Sequence, residues 1–109
     1  MTGENYSVQI KEEGDNQLLI FSGQLTINYI QNIKDAIGAE IDFSRDIEVK
    51  LDNPGNLDIT FLQLLESIRS TLKLKQRKFS ASASLSEELL SLISNSGFSE
   101  LVNCNPVNK

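Results

Sequence analysis

Asp52 and Asp58 stand on either side of the short run Asn53-Pro54-Gly55-Asn56, and of all the residues in the chain they come nearest to a reactive pair. Two carboxylates facing each other across a loop could share a magnesium ion or divide the duties of acid and base. The rest of the sequence argues against that chemistry. There is no histidine, and the one cysteine is Cys104, so Cys/His zinc sites lack ligands and Ser-His-Asp or Cys-His pairs lack a base. No glycine-rich Gly-x-Gly-x-x-Gly or Walker segment is present to cradle phosphate. Asp52 reads as the start of a loop and Asp58 as a helix cap. The chain is expected not to be an enzyme and to use neither metal nor cofactor.

The other concentrated chemistry is basic: Arg69, Lys73, Lys75, Arg77 and Lys78 follow one another after a helical stretch. No aromatic residues interleave with them as a nucleic-acid surface would require, and the net charge is −5. Cations at a helix C-terminus complement its dipole, and that is the reading adopted. The longest apolar run, Leu18 to Phe21, is far shorter than the roughly 20 residues of a membrane span. No basic segment followed by an apolar stretch opens the chain. A cytoplasmic protein that neither inserts into membranes nor binds nucleic acid is expected.

The positions of these residues follow from the hydrophobic pattern. With 109 residues, 39% of them apolar, the length suits one domain. Tyr6, Val8 and Ile10 alternate with polar residues as in a half-buried strand; Gly14-Asp15-Asn16 makes a turn, and Gln17 to Ser22 returns as the second strand of a hairpin ended by Gly23. Thr26 predicts an N-cap for a helix with Ile27, Ile30, Ile33 and Ile37 on one face and Gly38 near its end. A third strand spans Ile47 to Leu51, and Asn53 to Asn56 read as a compact loop. Asp58 predicts the cap of a second helix carrying Phe61, Leu64, Leu65, Ile68 and Leu72 as its apolar stripe.

Phe79 to Ala83 is the fourth strand. Ser84 and Glu87 form a capping-box pattern for a last helix, Leu85 to Asn95, with Leu89, Leu92 and Ile93 inward and Gly97 beyond its end. Asn103 to Lys109 reads as a polar, fraying tail outside a core of about 6–102. The order β-β-α-β-α-β-α implies an α/β fold: a four-stranded mixed sheet with an N-terminal antiparallel hairpin, parallel elsewhere, and helices packed on it. The alternation in the third and fourth strands further predicts that one sheet face is incompletely covered.

From about Tyr6 to Val102 this order resembles the STAS family, the domains of sulphate transporters and anti-sigma-factor antagonists. Ser22-Gly23-Gln24-Leu25-Thr26 looks like the family's Gly-Glu-Leu-Asp turn into the first helix. Val49-Lys50-Leu51-Asp52, a loop, and Leu57-Asp58-Ile59-Thr60-Phe61-Leu62 look like its Asp-Ser-Ser-Gly-Leu segment opening the second. The strand Phe79 to Ala83 before a Ser-capped helix, and the closing Gly97-Phe98, complete the likeness.

The resemblance implies a non-catalytic protein-interaction module of bacterial signal transduction, with an anti-sigma factor, a kinase-like regulator or a sensory kinase as partner. The alternative it implies is an accessory STAS subunit of a membrane transport complex. In the family a partner kinase phosphorylates the serine directly after the Asp; here that position is Ile59, and the usual glycine is Phe61. Thr60 keeps a hydroxyl and is the candidate phosphosite, although a hydrogen bond supporting the first helical turn is its simpler role. The implied partner-binding surface is Asn53, Gly55, Asn56, Asp58, Ile59 and Thr60, with an exposed Ile59 standing where the family has its switch.

Overall fold

In the computed structural model, which describes residues 5–98 and 100–106, eight elements follow in order. They are β1 (Tyr6–Glu13), β2 (Asn16–Leu25), α1 (Ile30–Gly38), β3 (Asp46–Leu57), α2 (Ile59–Leu74), β4 (Phe79–Leu85), α3 (Glu87–Asn95) and β5 (Asn103–Pro106). The sheet runs β1-β2-β3-β4-β5, with β1 antiparallel to β2 and every other pair parallel. The expected β-β-α-β-α-β-α order and mixed sheet are therefore present, with one short strand added at the far edge.

The hairpin closes through Gly14 and Asp15, and Gly14 takes φ +62, the conformation that a two-residue turn with glycine first requires. From β2 onward each crossover steps one strand further in the same direction. Right-handed crossovers in that order put all three helices on one face. The register separates the two faces row by row: Leu19, Val49 and Ala81 lie side by side and buried, whereas the neighbouring row is Ile20, Lys50 and Ser82, half-buried or exposed. One face is thus left uncovered, as the alternation predicts.

Under the helices, Phe21 of β2 meets Phe61 of α2 edge to face, their ring centroids 5.1 Å apart, among Leu25, Ile33, Leu65, Leu72 and Leu85. Gln17 is a polar exception in the core. It is 2% exposed, and it is satisfied by donating to the Glu40 carbonyl at 2.9 Å and accepting from the Asp42 amide at 2.8 Å.

Several expectations are corrected. Gly23 does not end the second strand: at φ +84 it forms an irregularity through which β2 continues to Leu25, and a Cβ there would lie 2.5 Å from the Asn5 carbonyl oxygen. Likewise Asn53 to Asn56 is not a loop but the second half of β3, where Pro54 pairs with Gly23 and Asn56 with Gln24. Asn53 absorbs the irregularity at φ +50. Thr26 caps no helix: its carbonyl accepts from Tyr29 in a turn, α1 begins at Ile30, and Ile27 is 64% exposed instead of joining the Ile33–Ile37 stripe.

At the other end of the chain, Leu85 is fully buried in β4, so α3 is capped by Ser86, whose Oγ accepts from the Leu89 amide, and Leu92 faces outward. The tail is also more ordered than expected. Buried Leu101 and Val102 bring Asn103–Pro106 back along β4, whose edge would otherwise be unpaired. Residues 107–109 lie outside the described residues. No helix among those described is long and apolar enough to cross a membrane.

Candidate functional site

Asp58 is the residue on which the candidate site is built. Its backbone is extended, and its amide donates to the Leu25 carbonyl at 3.2 Å, so the chain leaves β3 still attached to β2. One carboxylate oxygen, Oδ1, accepts from the amides of Thr60 at 3.1 Å and Phe61 at 3.4 Å and from the Thr60 hydroxyl. These are the donors a helix start leaves without partners, and satisfying them is the work of an N-cap. The other oxygen, Oδ2, accepts from the Ile27 amide at 2.8 Å, 31 residues earlier in the chain.

A single carboxylate therefore binds the β2–α1 turn to the first turn of α2. Partial burial works to raise its pKa, but the Thr60 hydroxyl and the amides of Ile27, Phe61 and Thr60 together outweigh burial and hold it below the ordinary carboxylate value.

Because the brace joins those two segments, it sets two isoleucines on either side of Asp58. Ile27 is 64% exposed and Ile59 is 46% exposed. Ile59 belongs to the first turn of α2 but points away from the core that its neighbours Phe61 and Leu62 enter with no exposure at all. An exposed Ile59 is what the resemblance implies. Asn53, Gly55 and Asn56 lead into Asp58 along the outer half of β3, all exposed. Asn56 accepts from the Leu57 amide through its own side chain, and Gln24 packs over Gly55, where a Cβ would come within 2.9 Å of Nε2.

The structure adds residues that the sequence did not single out. Besides Ile27, Asn5 donates to the Tyr29 hydroxyl at 2.8 Å, and the Tyr29 ring lies 5.8 Å from that of Tyr6. These all gather at the C-terminal ends of β2 and β3, the end of a parallel sheet where α/β proteins place their sites. Thr60 is half-buried, and its hydroxyl is committed to Asp58.

Asp52 is not drawn into this cluster. It is exposed near the end of the regular β3–β4 pairing, on the strand face that Lys50 shares, and among the described residues no group of three His, Cys, Asp or Glu is placed to hold a metal. The basic residues lie at the opposite end of α2. Arg69 is paired there with Glu66 at 2.8 Å.

A mixed sheet with a leading hairpin, three helices on one face and a capped helix opening at the C-terminal strand ends make an α/β fold like that of STAS domains. Solved structures agree. The chain superposes on the anti-sigma-factor antagonist SpoIIAA in its unphosphorylated form with a TM-score of 0.67 and 13% identity, over 91% of this chain and 88% of that one.

The Bacillus cell-fate determinant SpoIIAA in its phosphorylated form gives 0.62 and 12% identity over 91% of each chain. An anti-sigma-factor antagonist STAS domain from Rhodobacter sphaeroides gives 0.56 and 14%, over 72% of this chain and 86% of that one. No protein-family model matches the sequence, and no curated protein matches it. The fold is STAS-like, reached by a sequence that keeps few of its neighbours' residues.

Proposed function

We propose that this chain is a non-catalytic protein-interaction module of bacterial signal transduction, docking an anti-sigma factor or kinase-like regulator on the surface around Asp58. The observation that carries the reading is the pair of exposed isoleucines, Ile27 and Ile59, held on either side of a braced helix start. Exposed β-branched residues beside a rigid cap gain little for the fold and much for a complex, since their exposed apolar area contributes only when a partner covers it. The structural neighbours described as anti-sigma-factor antagonists support the same class.

One of those neighbours is described in a phosphorylated form. In this chain Ile59 offers no hydroxyl at the position the resemblance gives to the switch, so docking is constitutive. Thr60 serves the cap: a phosphate on it would remove the donor to Asp58 and set about two negative charges beside a carboxylate. Asn53, Gly55 and Asn56 form the polar rim of the surface.

The test is a comparison of baits in lysate of the native host. Wild type is expected to recover a regulator with a kinase-like fold, and Ile59→Asp to lose it while giving an unchanged far-UV circular dichroism spectrum. Equal recovery by a folded Ile59→Asp bait rejects the surface, and recovery of a transport ATPase instead rejects the signalling role.

A further inference from the structure

The other end of α2 carries a second surface, which the docking reading leaves unused. Arg69, Ser70, Lys73, Gln76, Arg77 and Phe79, together with Glu66, line an open cleft of about 410 Å³. Of the five basic residues that follow one another in the sequence, three converge here; Lys78 turns to a different groove, and Lys75 lines neither.

The charges are not all neutralised. Arg69 is paired with Glu66, and Arg77 lies near Asp42, whose pKa is lowered first by the Ser44 hydroxyl and amide and to a lesser degree by Arg77. The Lys73 ammonium makes no ion pair or side-chain hydrogen bond among the described residues. The cluster therefore keeps an excess of positive charge in a chain whose net charge is −5.

Two features indicate the kind of anion. A compact phosphate is usually held by free backbone amides at a helix N-terminus or nest. Here the bordering helix end is a C-terminus, and its amides are used: Lys75 donates to Thr71 and Leu72, Gln76 to Lys73, and Arg77 to Leu72. Only side chains are left to bind, and they are spread out. Arg69 and Lys73 are one turn apart, about 6 Å along the helix axis. Side chains on one face of an extended peptide repeat at about 6.6 Å. Half-buried Phe79 adds an apolar group to the lining of the same cleft.

We infer that this cleft binds an extended acidic peptide segment of a protein, with carboxylates on Arg69, Lys73 and Arg77 and an apolar residue against Phe79. Along the axis of α2, Arg69 lies about 15 Å and Lys73 about 21 Å from Ile59. The site does not depend on which partner docks there.

The experiment is a titration of the ¹⁵N-labelled full chain, followed by amide chemical shifts. The probe is the peptide acetyl-Glu-Glu-Phe-Glu-Glu-amide, with inorganic pyrophosphate and phosphatidylserine vesicles in parallel arms. The peptide is expected to move the amides of Lys73, Gln76, Arg77 and Phe79, to leave those of Ile27 and Ile59 in place, and to bind more weakly as salt is raised. Lys73→Glu with Arg77→Glu should abolish these shifts. Both residues are exposed, and the unchanged remainder of the spectrum reports the fold; Lys73→Gln alone, expected to weaken the shifts, stands in if the double variant does not fold.

Absence of shifts at millimolar peptide overturns the inference, as do shifts that survive in a folded variant. So does stronger movement of the same amides by pyrophosphate or by vesicles, since either would assign the cleft to a phosphate group or a lipid surface.

Discussion

The two ends of α2 are built by opposite means. At the start, Asp58 gathers the free amides of the first turn and one more from a distant segment, and the residue next to it is an exposed isoleucine. At the finish, the helix closes on its own backbone: Arg77 donates to the Leu72 carbonyl and Gln76 to that of Lys73, the pattern of a Schellman cap, and the side chains around it are cationic. The first end depends on tertiary structure and presents apolar surface. The second is local and presents charge. One helix thus offers two chemically distinct surfaces, and substitutions at each end should behave accordingly.

The largest effect is expected just inside the first end, where exposure changes abruptly along the chain. Phe61→Ala removes a ring with no exposure that packs against Phe21, and it should cost about 3–5 kcal/mol in chemical denaturation. A loss below about 1 kcal/mol would mean that the core does not run under the first turn of α2 as described.

Asp58→Ala comes next, at about 1–2 kcal/mol, because it orphans amides in two segments at once. Its pH dependence has a definite sign. The folded-state pKa of Asp58 is lowered, so the stability it adds is fully present above the ordinary carboxylate pKa of about 3.9 and is lost as pH falls through the lower folded value. Wild type should therefore lose its advantage over Asp58→Ala below about pH 4 in parallel unfolding curves. An advantage that persists unchanged in strong acid would show that the carboxylate's charge is not what braces the two segments.

The smallest effect belongs to the second end. Gln76 sits at φ +59, where a side chain is strained and glycine is not. Gln76→Gly should raise stability by about 1 kcal/mol, read as a higher melting temperature. A lower one would indicate that the Gln76 side chain contributes more to the closing turn than its backbone costs.

How much of this was legible in the sequence follows the same local-versus-distant division. The alternation of Ile47, Val49 and Leu51, the stripe from Phe61 to Leu72 and the cap at Asp58 are periodic or nearest-neighbour signals, and each stands in the structure where the residues indicate. Ile27 was misread because its place is decided by a carboxylate 31 residues away, which no helical spacing reports.

Asn53-Pro54-Gly55-Asn56 has the composition of a turn, yet its partners on β2 keep it in the sheet. Ser84 and Glu87 have the pattern of a capping box, but burial of Leu85 keeps the chain in β4 past Ser84, so the cap falls to Ser86. The short β5 was illegible because its residues are polar; the anchor is Leu101 and Val102, just before it. Within the candidate site, Asp58, Ile59 and Thr60 could be named from the resemblance, whereas Ile27, Tyr29 and Asn5 needed the folded chain.

The central claim is that the isoleucines beside Asp58 form a docking surface and not part of the core. The most direct test is calorimetric titration of the purified regulator recovered by wild type into wild type, Ile27→Asp and Ile59→Asp, with thermal unfolding of each. Each substitution should lower affinity at least about tenfold, some 1.4 kcal/mol, while stability stays within about 0.5 kcal/mol of wild type. Undiminished affinity in folded variants, or a loss of several kcal/mol in stability, would contradict the account.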